Sequence, residues 1–524
     1  PCPTPGRGRA RPAFDRGSRF SENQLSPAGF PEGARGWLIM FDVIVIGSDL
    51  SSLIAALLAS RYGRKVLLLA ESGLDDGLAR SGYTFNVDPF PWSGFGVGQV
   101  FSRLLSEVNI PLPETSRVSP LNPALQVILP GHRIDFFIDR DATVRDLVRE
   151  YPDEQSLIHS LYQAVVTAGE TLDRTVRDTL ESRDRSIADI LKSCLDTPFF
   201  LGGIWRFEQR LRSAGKRASL GAVFDSELTL LSNLHVNHAK PLSSAYLLSL
   251  PWRGLYYHFG GKHLLLGQLR RRFEDLRGET MTDAAVEAVR AGNRIEVDVR
   301  VGDKTIRPMG QRLVISAKAP ALGKLLSSER KLSRLARRLR RVETLGYPFT
   351  LHLGVDNRGL PERMGEHVIH APGPEGNAPA PLGSFLYLES SVSEDADAAP
   401  RGRRTLALTA LLPRSPVQLA DNELEIAADG MMRSLEGFLP FLRENIDFMD
   451  LAFSMDVSRR YQQVLNPRYR FPGHRLPGLM TLPIRTPLAN VLLTGGINFA
   501  SLGFEGEVLS GMKAGFLAAG DVVR

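Results

Sequence analysis

Two apolar runs flanking a helical pattern, just past residue 40, restrict this chain more than any other feature of its sequence. Asp42-Val43-Ile44-Val45-Ile46 is a short continuous apolar run, the kind that a strand buried on both faces requires. Gly47 ends it. Leu50 to Arg61 then sets Leu53, Ile54, Leu57 and Leu58 on one helical face, with Gly63 as a stop signal. Lys65-Val66-Leu67-Leu68-Leu69 reads as a second buried strand, followed by Glu71. Parallel strands need a crossover, and a βαβ unit of about 30 residues with an acid about 20 residues beyond a glycine turn is the layout that binds a dinucleotide.

The turn itself departs from that layout. The fingerprint is G-x-G-x-x-G, and the chain has Gly47-Ser48-Asp49-Leu50-Ser51-Ser52. Asp49 replaces the glycine at which bare backbone approaches the pyrophosphate, and would repel it by roughly 1–4 kcal/mol per charge pair. Asp49 also stands at a helix N-terminus, where a carboxylate can cap the free N–H groups that otherwise hold phosphate. Two readings follow. Either the unit binds a dinucleotide, with Glu71 on a ribose, or it is kept for packing with Asp49 in the ligand's place.

Four further blocks extend the pattern over nearly all of residues 40–524. Arg80-Ser81-Gly82-Tyr83-Thr84-Phe85-Asn86-Val87-Asp88-Pro89 comes first, and Tyr257-His258-Phe259-Gly260-Gly261-Lys262-His263-Leu264 second. Asp397-Ala398-Ala399-Pro400-Arg401-Gly402 follows, and then Asn490 to Gly496 together with Gly503 to Gly511. In this order the blocks resemble those of the phytoene desaturase and amine oxidase-like flavoproteins, the branch of carotenoid desaturases, isomerases and retinol saturase-like enzymes. The resemblance implies an α/β fold: a Rossmann-like FAD/NAD(P)-binding βαβ core with an inserted α+β substrate or cap domain. By the same resemblance the core takes 40–140, 245–330 and 475–524, and the substrate domain 141–244 and 331–474. It places Gly47, Ser48, Ser52, Glu71, Arg80, Gly495, Gly496 and Gly506 around FAD, with Arg80 a cation offsetting Asp49. It names no catalytic acid or base.

Several positions differ from the family's pattern. Asp75 and Asp76 stand where bare backbone is expected, Gly496 replaces the acid of the C-terminal flavin motif, and Glu507 replaces a small apolar residue at the start of the last helix. The functional expectation therefore has two branches. One is an FAD-dependent oxidoreductase passing hydride through flavin N5 to or from a hydrophobic isoprenoid. The other is a non-catalytic relative that has lost FAD and binds an apolar ligand or a protein partner.

Charge narrows the partners. The net charge is +6 from 64 basic and 58 acidic residues, which is not the balance of a nucleic-acid binder. Six arginines against three acidic residues lie within 1–39, a Pro/Gly/Ser/Arg-rich stretch read as a disordered tail or an extension upstream of a start at Met40. Seven cations lie in 330–341, with Leu332, Leu335, Leu339 and Val342 at helical spacing. That segment reads as a solvated helix packed on its leucines, or as a peripheral contact with an anionic membrane. Two cysteines cannot staple such a fold, and no apolar run approaches the roughly 18 residues of a membrane span. The expected location is cytoplasmic or membrane-associated. His235-x-x-His238 and His367-x-x-His370 lack the further ligands a zinc site needs.

Overall fold

The apolar runs form the strands they promise. In chain order the core elements are β1 (Met40–Ile46), α1 (Leu50–Arg61), β2 (Val66–Leu69), β3 (Glu279–Met281), β4 (Ile295–Val301) and β5 (Met309–Ser316). They continue with α2 (Pro320–Ser328), α3 (Ser333–Leu339), β6 (Glu343–Asp356), β7 (Val491–Thr494) and α4 (Gly503–Ala519). These come from a computed structural model, which describes residues 40–112, 117–181, 198–235, 241–302, 304–371, 386–471 and 481–520. The expected tail, 1–39, lies outside the described residues.

β1 pairs in parallel with β2 on one side and β5 on the other, with Ile46 opposite Leu69 and Ile315. β3 extends the parallel order beyond β2, and β7 beyond β5. Side chains alternate across a strand, and β1 shows the result. Val43 and Val45 enter one apolar core while Ile44 and Ile46 enter the other, all fully buried. This is why its sequence reads as an unbroken apolar run. α1 is buried from Ser51 to Ser60 and packs along α4. β4 runs antiparallel beside the start of β5, with Ala285–Ala291 beyond it.

A second, mixed sheet carries β6 at its centre-left, in the order Ile446–Met449, β6, Arg403–Leu412, Leu386–Ser390, His367–His370, Leu125–Leu129 and His132–Phe136. The helices Gln155–Glu181, Pro198–Gly215 and Ala218–Leu231 pack beside Pro241–Leu247. The fold is thus α/β, a Rossmann-like core with a substrate-type α+β portion. One detail of the expected partition changes. Leu125–Leu129 and His132–Phe136 join the second sheet, so 40–140 contributes to both. A five-residue apolar strand carries no sequence mark of the sheet it will enter.

Candidate functional site

Strands β1, β2, β5 and β7 run parallel and stop at Ile46, Leu69, Ser316 and Thr494. The residues that follow them therefore share one edge, the carboxyl end, where open α/β sheets bind ligands. Three helices begin at this edge, and backbone N–H groups at a helix N-terminus favour an anion.

At α1 the anion is Asp49. It caps the helix with extended backbone, and its Oδ1 accepts from the Ser52 amide at 2.9 Å, the Ser52 hydroxyl at 2.7 Å and the Ser51 hydroxyl at 2.8 Å. Its Oδ2 accepts from the Ser316 hydroxyl at 2.5 Å, and Lys318 Nζ lies 3.8 Å away. Asp49 is 2% exposed. Such a charge is tolerated in a protein interior only when donors and a countercharge surround it, and both are here. Gly47, at φ +154°, makes the turn possible: a Cβ there would lie 2.3 Å from Ser52 Oγ.

At α2 the anion is Glu71. Its Oε2 accepts from the Ala321 amide at 3.1 Å, and burial raises its pKa despite that bond and the nearby Lys324. At α4 there are two anions in the first turns. Glu505 accepts from Ser93 Oγ at 2.7 Å and Tyr246 Oη at 2.5 Å. Glu507 accepts from Asn466 Nδ2, while its Oε1 is buried with no hydrogen-bond partner among the described residues. Burial pushes the Glu507 pKa up to about 7, against the pull of Lys318. Asp75, also buried, is raised to about 6 by desolvation, opposed first by the Gly77 amide that it accepts from at 3.0 Å.

The expected cofactor contacts are thus occupied by the chain itself. Ser52 donates to Asp49, and Ser48 Oγ donates to the Ser72 carbonyl at 3.2 Å. The Gly495 amide donates to Ser510 Oγ at 3.2 Å, and Gly506 lies against the Phe499 carbonyl. Gly496 is enclosed as well as bare: a Cβ there would fall 2.7 Å from Asn466 Oδ1. Arg80 sits on the hairpin strand Leu78–Arg80 and pairs with Asp450 at 3.4 Å, half exposed. The cation beside Asp49 is Lys318. Asp76 is exposed and pairs with Arg270.

Among the described residues the crevice includes a cavity of about 40 Å³ beside Ser48, Asp49, Asp75 and Glu507, and one of about 30 Å³ beside Asp88, Arg468 and Glu507. Sites for cofactors and drug-sized ligands run to about 300–1,000 Å³, while a single water needs roughly 10–15 Å³. Neither of these two spaces has room for a dinucleotide.

A larger cavity, about 570 Å³, opens further along the same edge. Its walls come from the segment after β5, from α2, from the end of α3 through Val342, from β6, and from residues 458–469. Leu322, Leu326, Leu339, Val342, Leu465 and Ile497 give it an apolar lining. Sequence reasoning did not find this cavity or the roles of Ser316, Lys318 and Asn466. The one available signal was a serine ending a buried strand with a lysine two residues on.

Two other candidates resolve structurally. In 330–341, Leu332 and Leu335 are buried and Leu339 and Val342 pack on the protein, leaving the arginines outward. The apolar stripe is therefore not available for insertion into a bilayer. His367 Nδ1 bonds Tyr387 Oη at 2.7 Å, whereas His370 stacks on Phe438. His238 lies outside the described residues. No cluster of His, Cys, Asp or Glu suited to a metal, and no helix long and apolar enough to cross a membrane, occurs among the described residues.

No family model matches the chain, and no curated protein matches it in sequence. Solved structures do match in fold. An oxidoreductase from Methanosarcina mazei is 13% identical, covering 90% of this chain and 99% of its own, with a TM-score of 0.58. Cyclohexylamine oxidase from Brevibacterium oxydans is 14% identical over 92% and 100%, with a TM-score of 0.55. Putrescine oxidase bound to putrescine is 14% identical over 91% and 98%, with a TM-score of 0.52. The chain is similar in fold to these two amine oxidases and to this oxidoreductase.

Proposed function

We propose that this protein keeps the flavin-oxidoreductase fold as a binding scaffold, does not hold FAD, and takes an apolar ligand. One observation carries the proposal. The Asp49 carboxylate caps α1 where a pyrophosphate would lie, and Ser51, Ser52, Ser316 and Lys318 satisfy it from α1, the end of β5 and the loop after it. Displacing it would leave a buried carboxylate and a diphosphate competing for the same donors, with like charges within a few ångströms. The 570 Å³ apolar cavity supplies room for a ligand that the crevice lacks.

A second reading, an FAD-dependent oxidoreductase acting on a hydrophobic isoprenoid, is favoured by the fold match over nine-tenths of the chain. The two separate cleanly. Protein purified from Met40 and incubated with excess FAD is expected to remain colourless after gel filtration, with no flavin released on heating. Stoichiometric flavin retention would overturn the proposal in favour of the oxidoreductase. Contact with an anionic membrane through 330–341 belongs to the same proposal in an electrostatic form, since its cations point outward while its leucines pack inward.

A further inference from the structure

Segment 330–341 puts eight residues on the surface, and seven of them are cations: Arg330, Lys331, Arg334, Arg337, Arg338, Arg340 and Arg341. The eighth is Ser333. Leu332, Leu335 and Ala336 are buried, which leaves the other side of the turn Arg330–Leu332 and of α3 to solvent.

These cations have no countercharge within the chain. None of the seven makes an ion pair among the described residues, and only Arg338 donates a hydrogen bond, to the Thr481 carbonyl at 2.7 Å. The acids at either end of the segment are engaged elsewhere. Glu329 accepts from the Ala291 amide at 3.1 Å, and Glu343 pairs with Arg470. Arginines four apart, such as Arg330 with Arg334 and Arg337 with Arg341, repel one another. Where α1, α2 and α4 each meet an anion that the chain supplies, this surface is left for one that comes from outside.

Ser333 is the exposed position of the segment at which that anion can be carried covalently. Its hydroxyl makes no hydrogen bond among the described residues, so none has to be broken to use it. Arg330 stands three residues before it and Arg337 four after, spacings that set side chains together on a helical face, roughly 5–6 Å apart at Cβ. Arginine forks match phosphate oxygens, and a phosphoserine brings about two negative charges at neutral pH. Cations just before a serine are also what a base-directed protein kinase reads on its substrates. With seven residues α3 is too short to be stable by itself, so those three buried side chains hold it, and it opens more readily than the sheet.

We infer that Ser333 is a phosphorylation site that controls attachment of this surface to an anionic membrane. The inference rests on the membrane contact proposed above for 330–341 and adds its regulation. Ser333 Oγ attacks the γ-phosphorus of a nucleoside triphosphate held by the kinase. The bond from that phosphorus to its bridging oxygen breaks, the nucleoside diphosphate leaves, and the hydroxyl proton passes to the kinase's carboxylate. The segment's charge falls from +7 to about +5. A phosphate paired with Arg330 and Arg337 also withdraws both guanidiniums from lipid headgroups.

The test takes the full chain, cyclic AMP-dependent protein kinase and radiolabelled ATP, then vesicles of two parts phosphatidylcholine to one part phosphatidylserine. Mass spectrometry is expected to place a phosphate at Ser333, and Ser333→Ala to lose it. Phosphorylated protein should associate with the vesicles about thirty-fold more weakly than unmodified protein, the worth of about two surface charges. Ser333→Glu, with one charge, should fall midway on a logarithmic scale, and Ser333→Ala should bind as the unmodified protein does. Circular dichroism confirms that the variants are folded. Label confined to other serines overturns the site, and sedimentation unchanged by phosphate at Ser333 overturns the switch. Failure of the unmodified protein to sediment overturns the membrane contact beneath the inference and the switch with it, while the label still reports whether Ser333 is the acceptor.

Discussion

The carboxyl edge of the parallel sheet holds two places where a ligand might be expected, and the chain treats them oppositely. Around the β1 turn the space is closed by carboxylates that the protein supplies itself, down to about 40 Å³. Beyond the end of β5 about 570 Å³ stays open and mostly apolar. Backbone topology is shared by both, so it does not decide between them. The side chains do. Where a helix N-terminus needs an anion the chain provides one. Where apolar walls meet, it leaves room.

The sharpest way to break this contrast is to remove the plug. Asp49→Ala would leave the Ser51, Ser52 and Ser316 hydroxyls without their acceptor and the charge of Lys318 without its match. A loss of about 3–5 kcal/mol is expected, the usual cost of breaking a buried ionic network by one partner, measured as a lower urea midpoint. A variant as stable as the wild type would show that Asp49 is not what closes the crevice. Asp49→Gly with Gly496→Asp should still fail to bind flavin. Glu505 and Glu507 remain, and a side chain at 496 collides with Asn466. Flavin retention by that double variant would make the closure a matter of two residues only.

A smaller effect separates the neighbouring carboxyl. The Glu507 pKa is raised to about 7 from an unfolded value of 4.5, so between those pH values the folded state binds the extra proton. Stability contributed by the neutral form is present below pH 4.5 and falls as pH rises to about 7. Glu507→Gln should remove this slope and stabilise the protein by about 2–3 kcal/mol at pH 8. Unfolding followed across pH 5 to 8 would test it, and parallel curves for the two proteins would contradict it. On the open side, Ser458→Ala should change stability by less than about 1 kcal/mol, since it deletes an unpaired hydroxyl. Smallest of all, replacing Arg334, Arg337, Arg340 and Arg341 by Gln should shift stability within about 0.5 kcal/mol, yet abolish sedimentation with anionic vesicles. Unchanged sedimentation would remove the segment from any membrane role.

Much of the scaffold was legible in the sequence because its signals are local. α1 runs from Leu50 to Arg61 as its leucine spacing predicts, and β1 and β2 form where the two apolar runs stand. The site was half legible. Asp49 announced itself by standing where a glycine belongs. Its partners did not, because Ser316 lies 267 residues away and comes into reach only through the parallel pairing of β1 with β5. Arg80 shows the same limit: its partner Asp450 lies 370 residues away and carries no mark in the sequence. The open cavity draws its wall from four separate stretches of chain, which the sequence alone does not bring together.

The internal anions at three helix N-termini also bear on how the protein persists in a cell. A protein that folds around a cofactor is stabilised by it through mass action, so its folded fraction rises and falls with cofactor supply. Here the countercharges are encoded and arrive with synthesis. If the chain holds no flavin, as proposed, the amount of native protein should be the same in riboflavin-starved and riboflavin-replete cells.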